Sequence, residues 1–158
     1  MIKRPNVSAG LLLFRRVDQH LEVFLAHPGG PFWAKRDTGA WTIPKGVIDD
    51  GEDPLAAAER EFEEETGIRP QGPYFTLGKV VQRAGKTVHG WAWEGDADAT
   101  LIRSNTMRCE WPPNSGDWVI VPEIDRCEWF NPSMARVKIN SAQAEFIDRL
   151  EDFLYSQE

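Results

Sequence analysis

The chain has 158 residues, of which 41% are hydrophobic, 27% charged and 11% aromatic. This size and composition are typical of one globular domain and exclude a disordered or fibrous protein, so we expect a single domain over residues 1–158. The longest apolar run near the start, residues 7–14, is too short to span a bilayer, and the two cysteines lack a C-x-x-C spacing. We therefore expect a cytoplasmic protein with reduced thiols and no membrane partner.

The net charge of −7 is concentrated in one segment. Residues 46–65 hold nine acidic side chains against one basic side chain, Arg60, so this segment carries −8 and the rest of the chain +1. Such a density of carboxylates repels a polyphosphate unless divalent cations lie between them, and magnesium commonly bridges carboxylates to phosphates. The charge distribution thus predicts a metal-dependent site. The lack of a basic stripe argues against a long nucleic acid as partner.

The first third of the chain alternates apolar runs with turn residues. Two strands, at 7–14 and 22–26, are predicted to pair through a polar link. Residues 27–40 are predicted as a loop because Pro and Gly interrupt the apolar pattern. Residues 41–43 form a short extended segment, since the following Pro44 disfavours a helical residue before it.

Residues 54–66 carry the strongest helix signal. Asp53 can cap the first turn, Pro54 suits the first helical position, where no N–H is needed, and Gly67 can end the helix in a left-handed conformation. The rest is predicted as strands at 74–82 and 87–93, a polar loop at 104–117, extended segments at 118–121 and 127–130, a helical turn at 132–138 and a helix at 142–155. This order predicts an α/β sandwich with a mixed β-sheet.

The predicted helix has one apolar face and one acidic face. On a helical wheel at 100° per residue, three apolar residues form a stripe that would face the core, and three acids form an arc beside it. The stripe contains Leu55, Ala58 and Phe62, and the arc contains Glu61, Glu64 and Glu65. Like charges at these spacings destabilise a helix, and two of the acids lie near its negative end, so a bound cation explains them better than solvation does. Glu59 and Glu63 form a second acidic pair that helix geometry alone does not exclude.

The spacing of these residues resembles the Nudix box, in which a glycine, five residues, a glutamate and seven residues precede arginine-glutamate-aliphatic-x-glutamate-glutamate-x-glycine. Gly46, Glu52 and residues 60–67 match every fixed position. The one departure is Phe62, where the family usually has an aliphatic residue. The resemblance implies a Nudix-type α/β/α sandwich with a mixed β-sheet.

The resemblance also implies a role for each box residue. Glu61, Glu64 and Glu65 would hold magnesium, with manganese as an alternative ion, together with a backbone carbonyl at Lys45 or Gly46. Structural roles are implied for four positions: Gly46, Glu52, Arg60 and Gly67. Glu52 and Arg60 would brace the loop before the helix, and on the wheel Arg60 points away from the acidic arc.

The implied activity is metal-dependent hydrolysis of a phosphoanhydride bond in a nucleoside diphosphate derivative. We favour a dinucleoside polyphosphate or a nucleoside triphosphate, including oxidised nucleotides, because residues 41–46 resemble the diadenosine tetraphosphate hydrolase branch of the family. The alternatives are an ADP-ribose or nucleotide-sugar pyrophosphatase and a non-catalytic nucleotide-binding module. The partner is then a small nucleotide, and the seven tryptophans leave both a monomer and a homodimer open.

The remaining candidates are less specific. The general base would be a box glutamate or an acid from a later loop, where Glu110 is the first choice and Glu123 the second. Lys45 and His89 are candidate phosphate contacts, although either could be a plain surface or packing residue. Trp33, next to Phe32 and two cations, is a candidate stacking partner for a nucleobase, with coverage of the core edge as its alternative role.

Overall fold

The computed structural model describes residues 6–157, within which the chain forms eight strands and three α-helices. The strands are β1 Val7–Val17, β2 His20–Pro28, β3 Lys45–Val47, β4 Phe75–Val81, β5 Thr87–Glu94, β6 Thr106–Glu110, β7 Trp118–Pro122 and β8 Ile124–Phe130. The helices are α1 Pro54–Thr66, α2 Pro132–Lys138 and α3 Ala144–Ser156. None of these helices is long and apolar enough to cross a membrane.

Six strands form one mixed sheet. Its main path runs β4-β5-β1-β2-β8, and β3 pairs with the first half of β1. The β1–β5 pair is parallel, whereas the other neighbours are antiparallel. The predicted antiparallel pairing of the first two strands is confirmed, with Asp18 and Gln19 forming the tight turn at positive φ.

Successive side chains of β1 point to opposite faces of the sheet and supply two separate cores. Leu11 and Leu13 pack with Ala58 and Phe62 of α1 on one face. On the other face, Leu12 and Phe14 belong to the core cluster that includes Phe146 and Leu150 of α3. The sheet therefore lies between α1 and the C-terminal helices, which confirms the predicted α/β/α sandwich and the buried stripe of α1.

The predicted polar loop at 104–117 is wrong in its first half. Thr106–Glu110 is strand β6, which pairs with β7 in a second, two-stranded sheet, and only the tip of the hairpin is irregular. The segment Thr-Met-Arg-Cys-Glu has no strong strand pattern of its own, so its extended conformation comes from pairing with β7. We call the unit formed by residues 106–122 the β6–β7 hairpin.

Candidate metal centre

Local signals in the sequence place the acidic helix at the predicted residues. The Asp53 side chain accepts a hydrogen bond from the Ala56 N–H at 3.1 Å, and Pro54 begins the helix. Gly67, at φ 75°, ends it and donates its N–H to the Glu63 carbonyl at 2.8 Å. With both ends defined, Glu61 and Glu65 stand one turn apart on the face toward β3.

Three carboxylates come together at this face. Glu61, Glu65 and Glu123 each offer an oxygen, and these oxygens lie within 4.8 Å of one another. We call these three residues the carboxylate cluster. Glu61 and Glu65 are only 7% and 6% exposed, and Glu123 is half-buried.

Burial strongly disfavours charge in this cluster. It raises the pKa of the Glu61 carboxyl, and it raises the pKa of Glu65 well above the ordinary value, while the neighbouring acids reinforce both shifts. Carboxylate oxygens at this spacing are the donor set that a hard divalent cation prefers, and such an ion would offset their repulsion. The residues present therefore fit a bound magnesium ion.

Strand β3 lies directly against the cluster. The Lys45 backbone N–H donates to Glu65 Oε1 at 3.1 Å. A Cβ atom added to Gly46 would lie 2.0 Å from Oε2 and Cδ of Glu61, so only glycine lets the carboxyl approach this closely. The Lys45 ammonium lies near Glu65, and burial lowers its pKa. The main chain at 45–46, which was predicted to supply a carbonyl ligand for the metal, thus borders both buried acids.

Arg60 binds more acids than the sequence predicted. Its guanidinium donates to both carboxylate oxygens of Glu52 at 2.9 Å and to the Val47 carbonyl at 3.2 Å, which ties the loop to the helix. It also donates to Glu61 at 2.7 Å and lies 3.3 Å from a Glu64 oxygen. The hydrogen bonds with Glu52 raise the pKa of Arg60.

The prediction that Arg60 points away from the acidic arc is therefore wrong. A helical wheel gives the direction of Cβ, whereas a long forked guanidinium reaches several neighbours at once. Glu64, which was grouped with Glu61 and Glu65, is 42% exposed in its side chain and pairs with Arg60 at the rim. The second acidic pair has other partners, because Glu59 accepts a hydrogen bond from Tyr74 Oη at 2.9 Å and Glu63 lies 3.9 Å from Arg69.

The structure separates the two acids proposed from the later part of the chain. Glu110 closes the tip of the β6–β7 hairpin, where its carboxylate accepts the N–H groups of Asn114 and Gly116 at 3.2 and 3.0 Å. Four strand positions, roughly 13 Å, separate it from the base of the hairpin. Glu123 follows β7 at that base and joins the cluster.

The backbone of Glu123 is fixed from both sides. Its N–H donates to the Asn105 carbonyl at 3.0 Å, and its carbonyl accepts the Gly29 N–H at 2.8 Å. Asn105 in turn donates its N–H to the Glu64 carbonyl at 2.8 Å, which links the hairpin to the end of α1. This chain of hydrogen bonds explains how an acid 58 positions after Glu65 arrives beside it.

The other predicted contacts lie around the cluster rather than in it. Trp33 is partly buried and packs against the core cluster that contains Leu12 and Phe14. Phe32 is 49% exposed, and the Arg36 guanidinium lies 4.3 Å from the centroid of its ring. His89 pairs in β5 with Ala9, which pairs with Gly46 on its other side, so two strand spacings, about 10 Å, separate His89 from Gly46. Burial and nearby Lys79 lower the pKa of His89.

A buried histidine was not predicted. His27 lies at the end of β2 with no exposed surface, and its ring nitrogens contact Asp125 Oδ1 at 2.9 Å and the Arg36 carbonyl at 2.7 Å. It thereby ties the segment containing Phe32 and Trp33 to the start of β8. The sequence gives no signal for this role, because the contact with Asp125 depends on the pairing of β2 with β8.

The protein is thus an α/β sandwich with a mixed sheet between helices, on which two buried glutamates of one helix meet a third acid in a cluster that could hold a divalent cation. The family model for the NUDIX domain matches residues 4–150, and the chain belongs to this family. The box resemblance seen in the sequence is thereby confirmed.

Individual relatives support the same assignment. The Arabidopsis thaliana protein named Nudix hydrolase 26, chloroplastic, is 32% identical over 101 residues, covering 59% of this chain and 47% of that protein. An RNA pyrophosphohydrolase of Bradyrhizobium diazoefficiens is 39% identical over 77 residues, covering 46% of this chain and 44% of that protein. The matched part is thus less than half of either relative. A solved C. elegans Ap4A hydrolase in a binary complex has a TM-score of 0.64 at 23% identity, covering 94% of this chain and 98% of that one.

Proposed function

We propose that this protein is a magnesium-dependent pyrophosphohydrolase that cuts a phosphoanhydride bond in a nucleoside diphosphate derivative. The observation that carries this proposal is the carboxylate cluster, in which oxygens of Glu61, Glu65 and Glu123 lie within 4.8 Å of one another beside β3. A buried group of acids is costly for a fold without a cation. Its place on the Nudix helix supports a catalytic role over a structural one.

The residues around the cluster can be given distinct roles. Glu61 and Glu65 would hold magnesium, or manganese in its place, and Glu64 at the rim can complete the set, while Glu123 would accept a proton from water. The ion supplies charge neutralisation at the phosphoryl oxygens and lowers the pKa of a water molecule. A backbone carbonyl at 45–46 would join the ligands, and the Lys45 ammonium, which interacts with Glu65, would contact a substrate phosphate.

We assign the general base to Glu123 rather than Glu110. A base must reach the proton that it accepts, and Glu123 is the later acid that lies in the cluster. Its backbone is hydrogen-bonded to Asn105 and Gly29. These bonds fix the position from which the Glu123 carboxylate extends toward the attacking water. Both carboxylate oxygens of Glu110 are instead occupied by backbone N–H groups of the hairpin tip.

A dinucleoside polyphosphate or a nucleoside triphosphate is the substrate class that we favour. Lys45 interacts electrostatically with both Glu65 and Lys86, and we expect these two lysines to meet a long phosphate chain. The exposed Phe32 ring, with Arg36 above it, offers a stacking surface on the segment before β3. ADP-ribose has a shorter phosphate chain and needs fewer of these cations.

The test is a product-resolved screen with magnesium. Diadenosine tetraphosphate, a nucleoside triphosphate, ADP-ribose and a 5′-triphosphorylated RNA oligonucleotide are compared, the last because a relative is an RNA pyrophosphohydrolase. We expect release of a mononucleotide product from one of the first two at the highest kcat/KM, and no release with EDTA. ADP-ribose as the best substrate would contradict the proposed class, and an inactive protein would contradict the activity itself.

Glu65→Gln and Glu63→Gln form a matched pair for the metal assignment. The two residues are two positions apart on α1, but Glu65 is buried in the cluster and Glu63 is exposed. We expect Glu65→Gln to lower kcat at least about 100-fold, because it removes a ligand charge, and Glu63→Gln to stay within about three-fold of wild type. Equal effects in two well-folded variants would refute the assignment.

A further inference from the structure

One face of the β6–β7 hairpin is apolar along its whole length. Val119 and Val121 of β7 lie directly opposite Cys109 and Met107 of β6, so these four side chains share one face. We call them the apolar strip. Met107 and Val119 are 37% and 42% exposed, and the other two are half-buried. A two-stranded hairpin is marginally stable in water, so an open apolar face on it suggests a bound partner.

The strip leads directly away from the carboxylate cluster. Val119 and Val121 project to the same side of β7, and Glu123 lies in the bend that directly follows this strand. The Glu123 N–H bond to the Asn105 carbonyl continues the hairpin register to this point. At the rise of an extended strand, Val121 lies about 7 Å and Val119 about 13 Å from Glu123.

The segment before β3 borders the same face. A Cβ atom on Gly30 would lie 3.5 Å from a methyl group of Val121, and one on Gly29 would collide with the Pro122 carbonyl at 2.0 Å. The exposed Phe32 follows two residues later. Apolar groups from the hairpin and an aromatic ring from this segment therefore flank the approach to the cluster.

We propose that the apolar strip binds the nucleobase of the substrate whose phosphates lie at the carboxylate cluster. The inference rests on the proposed function. A phosphate held beside Glu123 leaves the attached nucleoside within reach of Val121 and Val119, and packing one face of a base on these side chains removes apolar surface from water. The opposite hairpin face also carries exposed apolar side chains, Trp118 and Ile120, with the Arg108 guanidinium 4.7 Å from the Trp118 ring, but it is Val121 of the strip that borders Gly30 in the segment before β3.

This placement determines the kind of specificity to expect. The strip offers two valines, one methionine and one cysteine, none of which provides the paired donors and acceptors that distinguish one base from another. Adenine, guanine and pyrimidine nucleotides should therefore have kcat/KM values within about ten-fold of one another, since apolar contact alone does not distinguish the bases. The strip selects nucleotides over base-free phosphates.

Val119→Ser tests the strip, with Ile120→Ser as its matched control. The two residues are neighbours in β7, both are exposed, and they point to opposite faces. We measure kcat and KM for ATP, the inhibition constant of inorganic tripolyphosphate, and the sedimentation coefficient. Met107→Ser, on the partner strand, repeats the test without altering β7.

We expect Val119→Ser and Met107→Ser each to raise KM for ATP about five-fold, with kcat and the tripolyphosphate inhibition constant unchanged. Ile120→Ser should change none of these values. An active wild type whose KM for ATP is unaffected by both strip variants overturns the inference and leaves the proposed function intact. A wild-type dimer that either strip variant dissociates also overturns it, because the strip is then a subunit interface. A wild type that hydrolyses no nucleotide refutes the proposed function on which the inference rests.

Discussion

Gly46→Ala should separate activity from stability, because the three atoms nearest to the new methyl group belong to the carboxyl of Glu61, a proposed metal ligand. An ideal Cβ would lie 2.0 Å from Glu61 Cδ and Oε2, whereas ordinary contact begins at 3.4 Å, so the carboxyl must move by about 1.4 Å. Displacements of about 1 Å in an active site can cost about 100-fold in rate. We therefore expect kcat to fall by about two orders of magnitude.

The folded state should tolerate the same change. The displaced atoms are the end of a flexible side chain, and Gly46 has no positive φ, so alanine fits the backbone. We expect the free energy of unfolding without metal to change by less than about 1 kcal/mol. Thermal unfolding, a magnesium titration of the rate and kcat at saturating magnesium are measured together.

Val47→Ala, at the next position of β3, controls for a general disturbance of the strand. Its carbonyl accepts the hydrogen bond from Arg60, so the side chain can be shortened without removing that contact. This variant should keep at least about half of the wild-type kcat. A Gly46→Ala protein with wild-type kcat and wild-type magnesium dependence would refute the argument, since Glu61 could then be displaced without consequence.

Two further predictions concern the acids. We expect the rate to rise toward alkaline pH, because the general base must be ionised to accept a proton. Glu123→Gln should lower kcat at least about 100-fold and flatten this rise, whereas Glu110→Gln, in the hairpin tip, should leave the pH-rate profile unchanged. The reverse result would assign the base to Glu110. Burial raises the pKa of Glu61 and Glu65, so without metal their contribution to stability is complete below the ordinary glutamate pKa of about 4.3 and is lost as pH rises through the raised values. The increase in Tm on adding magnesium should therefore become larger between about pH 5 and pH 8 in wild type. In Glu65→Gln this increase should be smaller than in wild type. An increase in wild type that does not depend on pH would contradict the prediction.

Local interactions were enough to predict helix α1 from the sequence. Asp53, Pro54 and Gly67 act on the backbone within one turn of themselves, so the observed bounds match the predicted ones. The apolar stripe and the pairing of Glu61 with Glu65 also follow from helix geometry. Such features need no knowledge of the remaining chain.

Long side chains were predicted less well than backbone positions. Arg60 was assigned to the loop before the helix, and it does bind Glu52, but its second branch reaches Glu61 and Glu64. A helical wheel gives the direction of the Cβ atom, but the end of a long side chain can lie several ångströms from that direction. The electrostatics of the site depend on that end, since the guanidinium contacts one acid of the cluster.

The sequence by itself determined the family box, the acidic helix and the layers of the sandwich, because each depends on residues close together in the chain. Only the tertiary structure decided that Glu123 joins Glu61 and Glu65, that β6 is a strand and that His27 is buried. These outcomes depend on pairing between distant segments: Asn105 with residue 123, β6 with β7, and β2 with β8. Pairing between strands that are distant in the sequence is selected by the fit of whole surfaces, so no short sequence pattern specifies it.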